Sequence, residues 1–364
     1  MTAGTRFETL DTHTGGEPTR LITDGLDRSA FEGGSVAAQR DAFAETHDEV
    51  RELLMKEPRG HDDMFGAVRV PPRAEEADFG LFFMDGGGYL DMCGHGTMGV
   101  VTALVERGEL APEPELRVET PAGVVTARPT VEDGRVESVA VQNVRSFVAE
   151  EATVTVETDR GDLAIPVDVV YAGNFFAMVD AAAVEPSVGA DDAGELIDLG
   201  LRIRAAANDQ LDVVNPLTGD PARVSLTEFY ESGRDADGRG PSGRRGNPGD
   251  VVEQSSTAHR TQSDDADRTF VVFGDRSVDR SPCGTGTCAK MTLLHERGKL
   301  DVGKRYAHES VVGSRFTGRL RDAEERDGVT VTTPEVRGRA YVTGEHTFFV
   351  HPDDTLGGFS VAGR

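Results

Sequence analysis

DMCGHGTMGVVTALVERGEL (Asp91–Leu110) and SPCGTGTCAKMTLLHERGKL (Ser281–Leu300) are one segment written twice, 190 positions apart. At that offset Phe83 meets Phe273, Asp85 meets Asp275, Cys93 meets Cys283, Gly94 meets Gly284 and Gly96 meets Gly286. Thr97, Thr102, Leu104, Glu106, Arg107, Gly108 and Leu110 also find identical partners. Twelve identities over 28 positions, where chance pairing gives about two, mark two copies of one supersecondary unit. Each copy carries its own thiol.

Both copies read as strand, loop, Cys-Gly, helix. DFGLFFMD (Asp78–Asp85) and RTFVVFGD (Arg268–Asp275) are short aromatic and β-branched runs, each followed by turn-formers. Behind the first Cys-Gly, Met98, Val101, Leu104 and Val105 fall at helical spacing, and Cys288, Met291 and Leu294 answer them in the second copy. Gly108 and Gly298 are placed to end the helices as left-handed caps. The alternating runs Gly123–Val144 and Ala152–Val179 predict antiparallel meanders. A sheet-rich α+β fold in two related halves follows. Segment 231–268 is Gly, Ser, Asp and Arg with almost nothing to bury, so a mobile surface insertion without a catalytic role is expected there.

The 364 residues suffice for two domains with their own cores. Sixty-four acidic against 38 basic residues, only four of them lysine, give a net charge of −26. Such a chain lacks the basic footprint that nucleic acid requires. The acidity predicts a solvated surface, and a requirement of folding and activity for high salt, which screens self-repulsion. The opening residues show no basic start before an apolar stretch, and no apolar run approaches membrane-spanning length, so a soluble, cytoplasmic protein is expected. Three cysteines are an odd number for a disulfide framework and are expected to be reduced. Their spacing does not suit zinc.

The thiols stand where helix chemistry favours anions. First-turn amides lack internal partners and the peptide dipoles place partial positive charge there, which tilts a cysteine toward thiolate. If the two units face each other, their amides can hold one carboxylate between opposed sulfurs. Inverting an α-carbon needs a base on one face and an acid on the other, and a thiolate and a thiol exchanging roles supply both. Amides aimed at the developing enediolate would assist. The plainer alternative, two small buried residues in duplicated cores, accounts for a single Cys-Gly better than for two matched ones. Cys288 takes the helix-face position of Met98 and reads as packing.

At these residues the chain resembles the proline racemase family, which shares its architecture with diaminopimelate epimerase. The resemblance runs nearly end to end, through DTHTGGEPTR (Asp11–Arg20), EPRGHDDMFGAV (Glu57–Val68), FMDGGGYLDMCGHGTMG (Phe83–Gly99), GNFFAMVD (Gly173–Asp180) and DRSPCGTGT (Asp279–Thr287). It implies two pseudo-symmetric domains, each wrapped around a central helix, with the active site in the cleft between them. We place these at 1–147 plus 337–364, around Cys93, and 148–336, around Cys283. It implies further that Cys93 and Cys283 are the catalytic bases, that neither pyridoxal phosphate nor metal is used, and that the enzyme is a homodimer. The amides of Gly94, His95, Gly284 and Thr285 would hold the carboxylate. His95 and Asp279 would lie near the ring nitrogen, with Phe65, Phe83 and Phe273 on the apolar side.

Read from the residues alone, Asp279 could also be a helix-entry turn residue, His95 a cap lending only its backbone, and the phenylalanines ordinary core. His13 and His61 sit in family motifs without an evident chemical role. The chain departs from the family in the length of segment 231–268 and in Cys288, where serine is common. Within the family, 3-hydroxyproline dehydratases lack the second catalytic cysteine, so Cys283 argues against that activity. Proline is the expected substrate and 4-hydroxyproline the alternative, since the aromatic lining offers a ring hydroxyl no partner. A thiol redox protein using Cys283 and Cys288, or a non-catalytic anion binder, would leave Cys93 or the duplicated thiols unexplained.

Overall fold

The structure, a computed structural model, describes residues 5–27, 31, 34–158, 161–232 and 266–361. Most of segment 231–268 lies outside the described residues, although its two ends pair across a hairpin, Glu231 opposite Arg268. The described residues form five α-helices: α1 (Val36–Thr46), α2 (Asp48–Met55), α3 (Gly94–Glu106), α4 (Ala193–Gln210) and α5 (Gly284–Glu296). Strands make up most of the rest.

The strands pair in two circuits. The first starts from the C-terminal strand Ala340–Phe349 and passes through Arg6–Thr14, Glu17–Asp24, Phe65–Val70, Phe79–Asp85, Leu116–Thr120, Gly123–Glu132 and Arg135–Gln142. The second passes from Phe147–Thr158 through Gly161–Tyr171, Phe175–Asp180, Val224–Glu231, Asp267–Phe273, Tyr306–Glu309 and Arg315–Arg326 to Val329–Gly338. In this order both circuits show the same succession of antiparallel and parallel pairings. The circuits join where Arg135–Gln142 pairs with Val329–Gly338. The chain crosses into the second circuit after Gln142 and returns to the first after Gly338. We propose domain boundaries within a few residues of these crossings, 1–147 plus 337–364 against 148–336.

Local chemistry accounts for the corners. In DTHTGGEPTR, Gly15 and Gly16 both have positive φ, +62° and +101°, the pattern of a two-residue hairpin turn, and Thr14 pairs with Glu17 across it. Asp11 and Arg20 then face each other in register and form an ion pair at 2.8 Å, so much of this motif is a clasp for the hairpin. Gly108 and Gly298 end α3 and α5 with φ of +72° and +65°, as the sequence predicts.

The residues at helical spacing are only part of what is covered: α3 is buried on all sides from Gly94 to Val105 and α5 from Gly284 to Leu293, Lys290 included. Each is enclosed by its own circuit, and an enclosed helix has no solvent face to mark with charge. Helices α1, α2 and α4 lie outside: α4 contributes Leu196, Ile203 and Ala207 to a second core, α1 and α2 contribute Phe43, Leu53 and Leu54 to a third. No described helix is long and apolar enough to cross a membrane.

Candidate active site

Helices α3 and α5 meet N-terminus to N-terminus. A Cβ on Gly94 would stand 2.8 Å from the Gly284 Cα, and one on Gly284 would stand 2.7 Å from the Gly94 Cα. Glycine permits this approach because it has no Cβ to clash. The residue before each glycine is the cysteine. Cys93 caps α3 and accepts from Gly96 N at 3.2 Å; Cys283 caps α5 and accepts from Gly286 N at 3.4 Å. The orphan amides of two helices and the positive ends of two dipoles therefore converge on one small volume beside both sulfurs. Cys283 holds φ at +58°, a region a non-glycine residue enters at a cost of about 1–3 kcal/mol, which surrounding structure must offset.

The other sequence-predicted residues gather at this junction. His95 Nδ1 lies 3.2 Å from Cys93 Sγ and 3.7 Å from Asp279 Oδ2, so one ring touches a thiol of the first half and a carboxylate of the second. Asp279 Oδ1 accepts from Ser281 N at 2.8 Å, and Ser281 Oγ accepts from Cys283 N at 3.1 Å, a relay of turns that aims the second cysteine. Thr285 Oγ1 stands 3.7 Å from Cys283 Sγ. Phe65 packs edge-on to His95, with ring centroids 4.6 Å apart, and lies 6.1 Å from Phe83 and 6.2 Å from Phe273. Cys93, His95, Asp279, Cys283 and Thr285 are all buried.

A model of the proline racemase family matches residues 9–243 and 241–360. This chain belongs to the proline racemase family. It is 35% identical over 354 residues to a proline racemase of Clostridioides difficile, covering 96% of each chain. It is 37% identical over 352 residues to a 4-hydroxyproline 2-epimerase of Streptosporangium roseum, again covering 96% of each. Its structure superposes with a TM-score of 0.81 and 28% identity on a hydroxyproline epimerase from Agrobacterium vitis with bound trans-4-hydroxy-L-proline, covering 98% of this chain and 96% of that one. The chain is thus an isomerase acting on amino acids, built on the two-domain α+β fold of this family.

Electrostatics at the junction of this proline racemase relative differ from the simple helix-end expectation. The helix ends draw both sulfurs toward thiolate, but burial outweighs that pull and pushes Cys93 and Cys283 well above the usual thiol range. The Asp279 charge pushes both further the same way, while the Gly96 and Gly286 amides oppose it. Burial also lowers His95, against Asp279, so its ring is held neutral.

Sequence reasoning missed several residues here. Glu17, inside DTHTGGEPTR, is fully buried and its Oε2 accepts from Arg280 N at 2.7 Å, tying the first half to the loop before Cys283. Burial, then Asp279, raise its carboxyl well above the usual range. Thr14 Oγ1 donates to the His95 carbonyl at 2.9 Å. Glu228, Lys290 and His308 form a buried polar group behind α5. The signal for Glu228 was its place in VSLTEFYE, where alternation sets it on the same face as Val224, Leu226 and Tyr230. His13 accepts from Gly16 N and stacks on Tyr341, and His61 accepts from Asp63 N, so both serve local turns. Cys288 is buried in the core around α5. Among the described residues no group of three or more His, Cys, Asp or Glu side chains converges as a metal site.

Proposed function

We propose that this isomerase interconverts L- and D-proline, with Cys93 and Cys283 as paired bases on opposite faces of the α-carbon. The observation that carries the reading is the contact of Gly94 with Gly284, because it brings two cysteine-capped helix ends to one carboxylate-sized space. In this reading the amides of Gly94, His95, Gly284 and Thr285 hold the carboxylate, and Asp279 with His95 receives the ring nitrogen. One sulfur, as thiolate, takes the α-proton and becomes thiol; the other, as thiol, delivers a proton to the opposite face and becomes thiolate. The enzyme is left in the form that accepts the other enantiomer. The amides stabilise the enediolate between the two transfers.

Substrate binding itself favours ionisation. Asp279 opposes thiolate at both cysteines, and a cationic ring nitrogen set against Asp279 offsets that charge. No pyridoxal phosphate or metal enters the scheme. The proposal includes a homodimer in the cytoplasm, and a protein whose −26 charge makes activity rise with salt.

Proline is preferred over 4-hydroxyproline because the buried wall of Phe65, Phe83 and Phe273 is apolar, and burying a hydroxyl there unpaired costs about 1–3 kcal/mol. The epimerase reading rests on the Streptosporangium relative and on the ligand of the Agrobacterium structure. Chiral chromatography of L-proline incubated with purified protein, in low and in molar potassium chloride, decides between them. An equal mixture of enantiomers, reached without cofactor and faster at high salt, is expected. Turnover of trans-4-hydroxy-L-proline with none of proline assigns the sister activity, and turnover of neither overturns the function.

A further inference from the structure

Glu228 is fully buried on the strand Val224–Glu231, facing the first turn of α5. A Cβ built on Gly286 would lie 2.2 Å from Glu228 Oε2 and 3.2 Å from Cys283 Sγ, so the carboxyl and the thiol press on the same helical turn. Gly286 is also the residue whose amide donates to that sulfur. Yet neither oxygen of Glu228 makes a well-formed hydrogen bond, and the Thr269 hydroxyl on the adjoining strand only partly offsets its burial. A buried, ionised carboxylate without partners costs several kcal/mol, roughly, and beside a helix N-terminus it would compete with the thiolate for the same positive end.

The neighbouring histidine shows how this is avoided. Thr287 Oγ1 donates its single proton to the Pro282 carbonyl at 3.1 Å, so the 3.1 Å contact between Thr287 Oγ1 and His308 Nδ1 is donated by the ring. Burial pushes His308 down to about 3, leaving it neutral, and a neutral ring protonated at Nδ1 has a lone pair at Nε2. That Nε2 also lacks a partner and faces Glu228 Oε1 at 3.7 Å, both side chains fully buried. Two lone pairs set against each other repel, whereas a proton on Glu228 makes the pair complementary.

We propose that Glu228 is a positioning residue for Cys283, kept as a neutral carboxylic acid by the Nε2 lone pair of His308 so that the first turn of α5 is left to stabilise the thiolate. Burial raises the Glu228 carboxyl to about 8, against the nearby Lys290. The titratable and polar groups around it are Lys290, Cys283 and Cys288 on α5, Asp267 and Thr269 on the adjoining strand, Asp279 before the helix, and Tyr306 with His308 on Tyr306–Glu309. In the first half the turn at Gly96 packs instead on Phe83 Cε1, 3.0 Å from a Cβ position, and that half's own buried carboxyl, Glu17, acts on Cys93, so Cys93 controls for the effect of changing Glu228.

The proposal rests on Cys283 being a catalytic base but fails separately from it. The test is the rate of iodoacetamide alkylation at Cys283 and at Cys93, resolved by peptide mass spectrometry from pH 6.5 to 9.5 in the wild type and in Glu228→Gln. In the wild type the logarithm of the Cys283 rate should rise with unit slope and flatten as Glu228 ionises near pH 8, while the Cys93 profile should be the same in the wild type and in Glu228→Gln. The uncharged isostere should match the wild type below pH 7 and exceed it about tenfold at pH 9, one pKa unit of relief. Profiles that coincide throughout overturn the proposal, as does a Cys283 rate already depressed at pH 6.5 in the variant. Should Glu228→Gln not fold, a wild-type Cys283 profile of unit slope through pH 8 overturns it alone. Absence of racemisation would instead strike the two-base reading and leave these profiles intact.

Discussion

Behind Cys93 the first turn of α3 packs on Phe83, the sulfur lies 3.2 Å from a neutral His95, and the cysteine backbone is extended at φ −143°. Behind Cys283 the first turn of α5 packs on the Glu228 carboxyl, the sulfur faces Thr285, and the backbone is left-handed at φ +58°. Strand order, pairing sense, helix length and glycine caps match between these halves, so duplication has kept the scaffold and released the surroundings. The teaching is chemical. In the two-base proposal, the sulfur that takes a proton and the sulfur that gives one are set in unlike environments, the first helix turn packing on an aromatic ring in one half and on a buried acid in the other.

The largest test of the comparison removes either sulfur. Cys93→Ser and Cys283→Ser should each lower racemisation by about 10²–10⁴-fold, since general acid–base catalysis is lost on one face while binding amides remain. Turnover measured in both directions, with folding checked by circular dichroism, decides it. A variant that retains racemisation shows its sulfur is no base, and the pairing of the halves is then structural only.

A smaller effect is expected from Gly284→Ala. The added Cβ meets the backbone of Gly94 at 2.7 Å, so the two helix ends must separate and the shared anion site widens. A displacement of this kind costs about 10²-fold in turnover. Steady-state kinetics should show KM rising along with the fall in kcat if, as proposed, both halves hold the same carboxylate. Unchanged kinetics would mean that the contact does not form the binding site.

The smallest change should come from Cys288→Ser. Cys288 is 1% exposed, sits in the α5 core and takes the place of Met98 in the repeat, so the substitution exchanges a small soft side chain for a polar one of similar size. Activity within about twofold of wild type and a loss of about 1–3 kcal/mol in stability are expected. Selective loss of activity in a normally stable protein would reopen a redox role for this thiol.

Much of the site was legible because its residues are local to the repeated unit. Cys93, Gly94 and His95, and Asp279, Cys283, Gly284 and Thr285, fall within a few positions of each helix start, where capping chemistry reads directly from residue type. The meanders and the helix-ending glycines were legible for the same reason. Glu17, Glu228 and His308 were not. Each lies on a strand far from its partner in the chain, and what stands opposite a strand residue is known only once the sheet has closed around the helix. That α3 and α5 are buried on all sides was not legible either, since enclosure by a circuit of strands is a long-range fact.

By itself the sequence determined that this chain holds two copies of a strand, cysteine-glycine and helix unit, that the thiols begin the helices, and that the surface is strongly acidic. Residue order and local backbone preference suffice for each of these. Only the tertiary structure decided that the two helix ends meet at Gly94 and Gly284 and that burial outweighs the helix dipoles at both sulfurs. Those outcomes depend on how strands distant in the chain pair and on how much water the closed junction excludes, quantities that exist only once the two halves are packed together.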